Sequence, residues 1–495
     1  MGPRARRGGR RGLRPHAVSG ASAPAERSHA LGPWLYLRAL GAIHVIAFVD
    51  FGRQLRGLIG REGLLPFRAR LAAHADAGHG FWEWPTLGWW GASDGELLLL
   101  AAVGAAAGLA LLIGRAQRSA LVVAYVAYLS LQKAGGAFMA YQWDLLLLEA
   151  TVVALALAPS RREPRVDARR GPTPVPRWAL LAHGFLFGRL MFASGVVKLT
   201  SGDPDWASLG AMDLHYWTQP LPNPLSLFAA ALPHGFHAVE VVLVFVLELA
   251  FPWLLLVRGW PRRIGALGLL GLQVAIALTG NFGFFNLLAG AMALPLLDDG
   301  CFRWLRATPR PERENQGFAR AVAVVSLAFG LVPLWGTLFG YAGLPQPVLE
   351  ANVAANRFGL GVAYGLFADM TDDRVELVFE GRRGDEWHAY VLPHQPGPTD
   401  RLPGQVAPGM PRLDWSLWFA ALGSPAHEEV ARQLARALHE ARPEVLALLA
   451  DDPFRGLVPE EVRIRRYRYR PHDPRIALDT GEWWSRTALG EPSDP

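Results

Sequence analysis

Cysteine and lysine are almost missing from this 495-residue chain. The one cysteine, Cys301, excludes an intramolecular disulfide, a Cys-x-x-Cys redox centre and a cysteine zinc site. Of the 49 basic residues only Lys133 and Lys198 are lysines. Charge of either sign is also scarce: Asp, Glu, Lys and Arg make up 19 % of the chain, against roughly 25 % in ordinary soluble domains. The formal charge of +6 is local, because residues 1–33 hold seven arginines and one acid, Glu26. The remainder is neutral, so no basic surface of the kind that binds nucleic acid is spread over a folded domain. No Gly-rich phosphate loop, no Gly-x-Ser-x-Gly elbow and no His/carboxylate spacing typical of a metal site occurs.

What is abundant is apolar sequence. Residues 1–33 read as a disordered basic tail, rich in Arg, Gly, Pro and Ala without apolar periodicity. From 34 to 343 apolar runs alternate with short polar connectors, at 34–52, 95–114, 119–135, 138–158, 178–200, 236–257, 264–280, 283–298 and 319–341. Runs near 20 residues suit membrane crossing, and several here are somewhat short, so about 7–9 spans are expected. With the amino terminus inside, the inner connectors hold 23 Lys and Arg and the outer ones 5, all within 53–92. That asymmetry follows the positive-inside rule and places the carboxy-terminal part outside the cytoplasm. Segment 53–92 mixes arginines with Trp82, Trp84, Trp89 and Trp90, a composition suited to the membrane interface.

After residue 350 the pattern changes. Residues 374–380 alternate with period two, Gly381–Asp385 turns, and 387–392 returns, as in a β-hairpin. Helical spacing follows at 414–422 and 426–449, then 463–470 alternates as a strand with a cationic face. The expected architecture is therefore mainly α: a polytopic helical bundle at 34–343, a small soluble α+β domain at 350–475 and a polar tail at 476–495.

Ionisable residues inside apolar spans are costly, about 2.5–3.5 kcal/mol each, and usually face a bundle interior or a wet cavity. Asp144, Glu149, Arg189 and Glu248 are such intramembrane polar residues, and Lys198 stands apart from them. Where composition has driven nearly every basic position to arginine, a retained lysine marks a site that needs a deprotonatable amine. Lys198 is followed by an outer loop without basic residues that carries Asp203, Asp205, Asp213 and His215. Lys198 as a base, with His215 or Asp203 positioning substrate, is one chemical expectation. Paired structural charges are the other.

Several strings stand out: Tyr141-Gln142-Trp143-Asp144 with Leu145 to Glu149, Arg189 to Leu199 with Ser201 to Trp206, His215 to Pro222, Leu278 to Asn286, Tyr364-Gly365-Leu366-Phe367 and Pro411-Arg412-Leu413-Asp414-Trp415. Together they resemble the lipase maturation factor family. The resemblance runs in order over roughly 35–470. It implies a polytopic membrane protein whose eukaryotic members reside in the endoplasmic reticulum and assist folding and assembly of secreted lipases. The implied partners are membrane lipids and an exported, lipase-like client, engaged by the outer domain; Trp387, Arg412, Asp414 and Trp415 are the candidate client-binding residues. Eukaryotic members carry lumenal cysteines, whereas Cys301 falls on the inner side. The run Ala193 to Leu199 with Trp206 is also similar to the pattern around the base lysine of vitamin K-dependent γ-carboxylase-like membrane proteins. That second resemblance implies a membrane enzyme in which Lys198 acts on a quinone- or quinol-like lipid.

Overall fold

A computed structural model describes Gly2 and residues 28–159, 172–305 and 316–493. The expected disordered tail at 1–33 falls mostly outside these residues, as do most of the connectors 160–177 and 302–320. Seven of the described helices are long and apolar enough to cross a membrane: Leu31–Ile59, Asp94–Leu112, Gln117–Met139, Arg177–Thr200, His234–Leu254, Trp260–Thr279 and Gln316–Phe339. Helices α1 (Leu31–Ile59), α2 (Phe67–Asp76), α3 (Asp94–Leu112), α4 (Gln117–Gly135), α5 (Gln142–Leu157) and α6 (Arg177–Thr200) open the chain. Helix α3 starts on a capping box in which Ser93 and Glu96 satisfy each other's backbone N–H groups. The last three long helices expose large aliphatic side chains such as Leu243, Val274 and Leu331 outward. Water would penalise that surface, and a lipid environment accepts it.

The expected runs 138–158 and 283–298 form shorter helices that still travel from one end of the bundle to the other. Helix α5 has 16 residues, a length of about 24 Å. It returns beside α4, for Arg118 at the start of α4 donates to the Ala158 carbonyl at 3.0 Å. The second short pass, Phe285–Leu296, leads to Asp299, whose carboxylate caps Ala30 and Leu31 at 2.9 and 2.8 Å. Segment 53–92 is more varied than a single interfacial helix. Helix α1 continues to Ile59, α2 follows, and Arg70 donates to the carbonyl of Ala134 at 2.8 Å. Trp82 and Trp90 are 71 % and 72 % exposed.

The carboxy-terminal domain is an antiparallel sheet of order β2-β1-β3-β4, with β1 Arg374–Arg383, β2 Glu386–Ala389, β3 Glu461–Pro471 and β4 Trp484–Ser493. Helices Arg412–Ala421 and Pro425–His439 cover one sheet face. The latter carries its apolar residues Val430, Leu434 and Leu438 at helical spacing, all fully buried. Residues 476–495, expected to be a polar tail, instead finish a helix at Pro474–Thr480 and supply β4. Trp483 and Trp484 hold that strand, packing with Tyr469 and with Leu227 of the membrane half.

Candidate functional site

The candidate site is the joint between the bundle and the carboxy-terminal domain, where the intramembrane charges meet their partners. Three clusters build it.

The first centres on Asp144, in the first turn of α5. Its carboxylate accepts both terminal nitrogens of Arg412, at 2.6 and 2.8 Å, and the Tyr128 hydroxyl at 2.6 Å. Arg412 also donates to the Phe138 carbonyl at 2.7 Å. Burial alone would lower the pKa of that guanidinium, yet the neighbouring carboxylate raises it, so Arg412 stays charged. Trp415, one turn on, packs edge-on against Trp143 at 4.8 Å, and Tyr141 stacks on Trp143 at the same distance. Asp50 of α1 accepts the Met410 N–H at 3.2 Å, which draws the approach to Arg412 onto the bundle.

The second cluster joins Glu149 of α5 to Arg189 of α6 at 2.5 Å. The Glu149 carboxylate also accepts the Tyr364 hydroxyl at 2.6 Å and the Gly361 N–H at 3.1 Å. Arg189 lies 4.9 Å from the Tyr364 ring. Gly361 reaches this position with φ +64, and a Cβ there would sit 2.7 Å from Asn352 Oδ1 and 2.8 Å from the Phe329 carbonyl. Next along the segment, Gln142 and Gly365 exchange two hydrogen bonds of 3.0 and 3.1 Å.

The third cluster contains Lys198. Its ammonium donates to Glu248 at 2.7 and 3.0 Å and to the Ser194 carbonyl at 3.2 Å, which uses all three N–H bonds. Glu248 stands in a π-helical turn, Val246–Ala250, just before Pro252. Proline at position i cannot bond the carbonyl at i−4, here that of Glu248, and the wider turn absorbs the defect. Gly195 lets the helices approach, since a Cβ there would meet Leu249 at 2.8 Å and Glu248 at 3.0 Å. Two other sequence candidates surround the pair. His215 lies between Phe282 and Phe367, its pKa lowered to about 4 by burial first and by the Lys198 charge second. Asp203 caps Pro204–Ala207 and accepts the Met370 N–H at 2.5 Å. Trp206 donates to the Phe367 carbonyl at 3.1 Å and offers its ring 5.4 Å from Lys198 Nζ. Asp203 and His215 thus meet the segment 367–370 directly and Lys198 reaches it through Trp206, with Lys198 and Asp203 already hydrogen-bonded to protein groups.

Of the four expected client-binding residues, only Trp387 reaches the surface. Arg412, Asp414 and Trp415 are 0 %, 2 % and 3 % exposed, so the surface expected there is a buried joint. The reason is electrostatic and steric: Arg412 finds the Asp144 carboxylate, and Trp415 fills an aromatic cluster. Asp414 accepts the N–H groups of His394 and Gln395 at 2.8 and 3.1 Å. Burial nevertheless raises its pKa to about 6. Sequence reasoning did not find Arg374, which donates to the carbonyls of Trp217, Gln219 and Pro220 at 3.1, 2.5 and 2.9 Å. These carbonyls end the helix Ala211–Thr218, where a cation is favoured. The only available signal was its place at the head of an alternating strand, which gave no hint of the contact.

Both halves of this joint match one family. Residues 31–304 correspond to the lipase maturation factor transmembrane domain, and residues 360–493 to the lipase maturation factor C-terminal domain. The chain belongs to the lipase maturation factor family. It is 31 % identical to lipase maturation factor 1 of Bos taurus, over 92 % of this chain and 87 % of that protein. It is likewise 31 % identical to lipase maturation factor 2 of Homo sapiens, over 92 % of this chain and 81 % of the relative. Identity to lipase maturation factor 2 of Gallus gallus is 30 %, over 92 % and 80 %. No solved structure matches the chain. Within this member of the family, the strings Tyr141–Asp144 and Pro411–Trp415 are two sides of one contact, and Tyr364–Phe367 closes on Glu149 and Gln142.

Proposed function

We propose that this chain is a membrane-embedded maturation factor that assists the folding or assembly of exported, lipase-class proteins from the outer face of the membrane. The observation that carries the reading is the joint itself. A family-specific domain is fixed to a family-specific bundle by the buried Arg412–Asp144 ion pair and by the hydrogen bonds of Gly361, Tyr364 and Arg374, as a rigid platform beside the membrane would be. Its side of the bundle is supported by charge. The connectors at the far end carry Arg115, Arg118, Arg177, Arg258, Arg262, Arg263, Arg303 and Arg320, whereas 201–235 carries no basic residue. The amino terminus is then cytoplasmic and the sheet domain extracytoplasmic. In this reading the fold acts without covalent chemistry.

A photo-crosslinking residue at Trp387, in native membranes, tests the proposal. Capture of an exported lipase-class protein supports it; capture of cytoplasmic proteins alone contradicts both the topology and the function. The alternative, Lys198 as a base on a quinol-like lipid, is the weaker proposal on these contacts. Every N–H of Lys198 is already engaged, two by the Glu248 carboxylate and one by the Ser194 carbonyl.

A further inference from the structure

One face of the sheet is divided in two. Strand register places Arg374, Glu376, Val378, Glu380 and Arg382 of β1 on the same side as Arg463, Arg465, Tyr467 and Tyr469 of β3. Trp387 of β2 joins them opposite Arg382, and Arg486 of β4 joins opposite Tyr469. The end at Arg374 and Tyr469 is buried against the membrane half and the Trp484 cluster. Towards the other end the face opens, and two rings, the half-buried Trp387 and, at the boundary, the buried Tyr467, each have two guanidinium groups close to them, with Arg486 itself exposed. Arg463 and Arg382 sit 3.7 and 5.8 Å from the Trp387 ring. Arg486 and Arg465 sit 4.9 and 5.3 Å from the Tyr467 ring.

We propose that this open end, formed by Arg382, Trp387, Arg463, Arg465, Tyr467 and Arg486, docks an extended, carboxylate-bearing segment of the exported client. The assignment rests on the maturation reading above and names the chemistry of its partner. A guanidinium stacked on a ring keeps its in-plane N–H edge free for a carboxylate. Two of the four are already neutralised, Arg463 by Glu380 at 2.7 Å and Arg382 by Glu461 at 3.0 Å. Among the described residues Arg465 and Arg486 form no ion pair, and Arg486 reaches only the Tyr469 hydroxyl at 3.5 Å. Both groups flank the same tyrosine, so they lie within about 10 Å of each other, and the carboxylate that acts on Arg486, Glu380, is itself paired to Arg463. Alternate residues of an extended chain, about 7 Å apart, span that distance with their side chains. The interleaved Glu380 and Glu461 disfavour a uniformly anionic bilayer, which such acids would repel. A peptide can place its carboxylates only where the free arginines are.

The test uses the full chain in phosphatidylcholine nanodiscs and a fluorescein-labelled heptapeptide of alternating glutamate and threonine, followed by anisotropy. The expected result is salt-sensitive binding of the glutamate peptide, absent for its glutamine counterpart. The double variant R465Q/R486Q weakens it at least tenfold, and R475Q, on an exposed helix elsewhere, does not. If the double variant melts early, the single variants R465Q and R486Q carry the comparison, each expected to weaken binding at least threefold. Equal binding of the two peptides, unchanged affinity in the arginine variants, or an equal loss in R475Q would overturn the proposal. Phosphatidylglycerol vesicles offered to the same nanodiscs form the second arm. Vesicle capture that depends on Arg465 and Arg486, without peptide binding, overturns it in favour of lipid. Because the peptide assay needs no maturation of any client, failure of the maturation reading shows separately, in lipase activity.

Discussion

Arg412 and Asp144, 268 positions apart in sequence, form a two-bond ion pair at 2.6 and 2.8 Å with no solvent exposure on either side chain. Each is costly to bury alone, and together they bind the carboxy-terminal domain to α5. Removing one partner strands the other, at about 3–5 kcal/mol. R412A and D144N are therefore expected to lower the melting temperature of the detergent-purified protein and expose the domain to limited proteolysis. R412K, which keeps charge and loses the fork, should fall between them and wild type. A double-mutant cycle that returns no coupling between the positions would refute the pairing.

Gly361 supplies the sharpest backbone test. G361A must hold an L-residue at φ +64 with a Cβ 2.7 Å from Asn352 Oδ1. The expected cost is about 1–3 kcal/mol. The same change releases the N–H that Glu149 accepts, so protease cleavage between 358 and 373 should quicken. Wild-type cleavage kinetics would speak against the contacts of segment 361–365 with Glu149 and Gln142 of α5.

Lys198 and Glu248 separate structure from chemistry. K198M leaves a buried carboxylate unpaired and should destabilise the protein by about 3–5 kcal/mol, whereas K198M/E248M removes both charges and should recover most of that loss. Rescue of function by the double variant assigns the pair to packing. A double variant that folds normally and yet is inactive points to proton chemistry at the ammonium.

Asp414 gives a pH signature with a definite sign. Its native pKa of about 6 lies above the ordinary aspartate value of 3.8, so between these values the native state binds the extra proton. Stability from this group is thus greatest below pH 4 and declines as pH rises towards 6, by on the order of 3 kcal/mol. His215, held neutral with a pKa of about 4, contributes the opposite slope, rising from pH 4 to about 6.5. The comparison of wild type with D414N isolates the first effect. Subtracting the two stability curves should leave a step between pH 4 and 6, and a flat difference would remove the assignment.

Much of this architecture is visible in the sequence because hydrophobic length and charge asymmetry are local properties. The long spans, the hairpin at 374–389 and the helix around Leu434 follow from periodicity alone. The joint does not, because pairing joins residues hundreds of positions apart. Asp144 stands out as an intramembrane charge and Arg412 as part of a family-like string, yet nothing in either neighbourhood names the other. The string around Trp415 therefore looked like a surface. Strand β4 is not legible for a different reason: its sequence, Trp484 to Ser493, lacks alternation and becomes a strand only through β3. The cationic alternation of 463–470 was legible as a strand face. Its division into a buried and an open end depends on where the membrane half packs.

The most direct test of the maturation account is the specific activity of an exported lipase, per mass of secreted protein, in host cells with and without this chain. The account predicts that removal lowers specific activity several-fold, that wild type restores it, and that R412A does not. Unchanged specific activity across every lipase-class protein the host exports would contradict it.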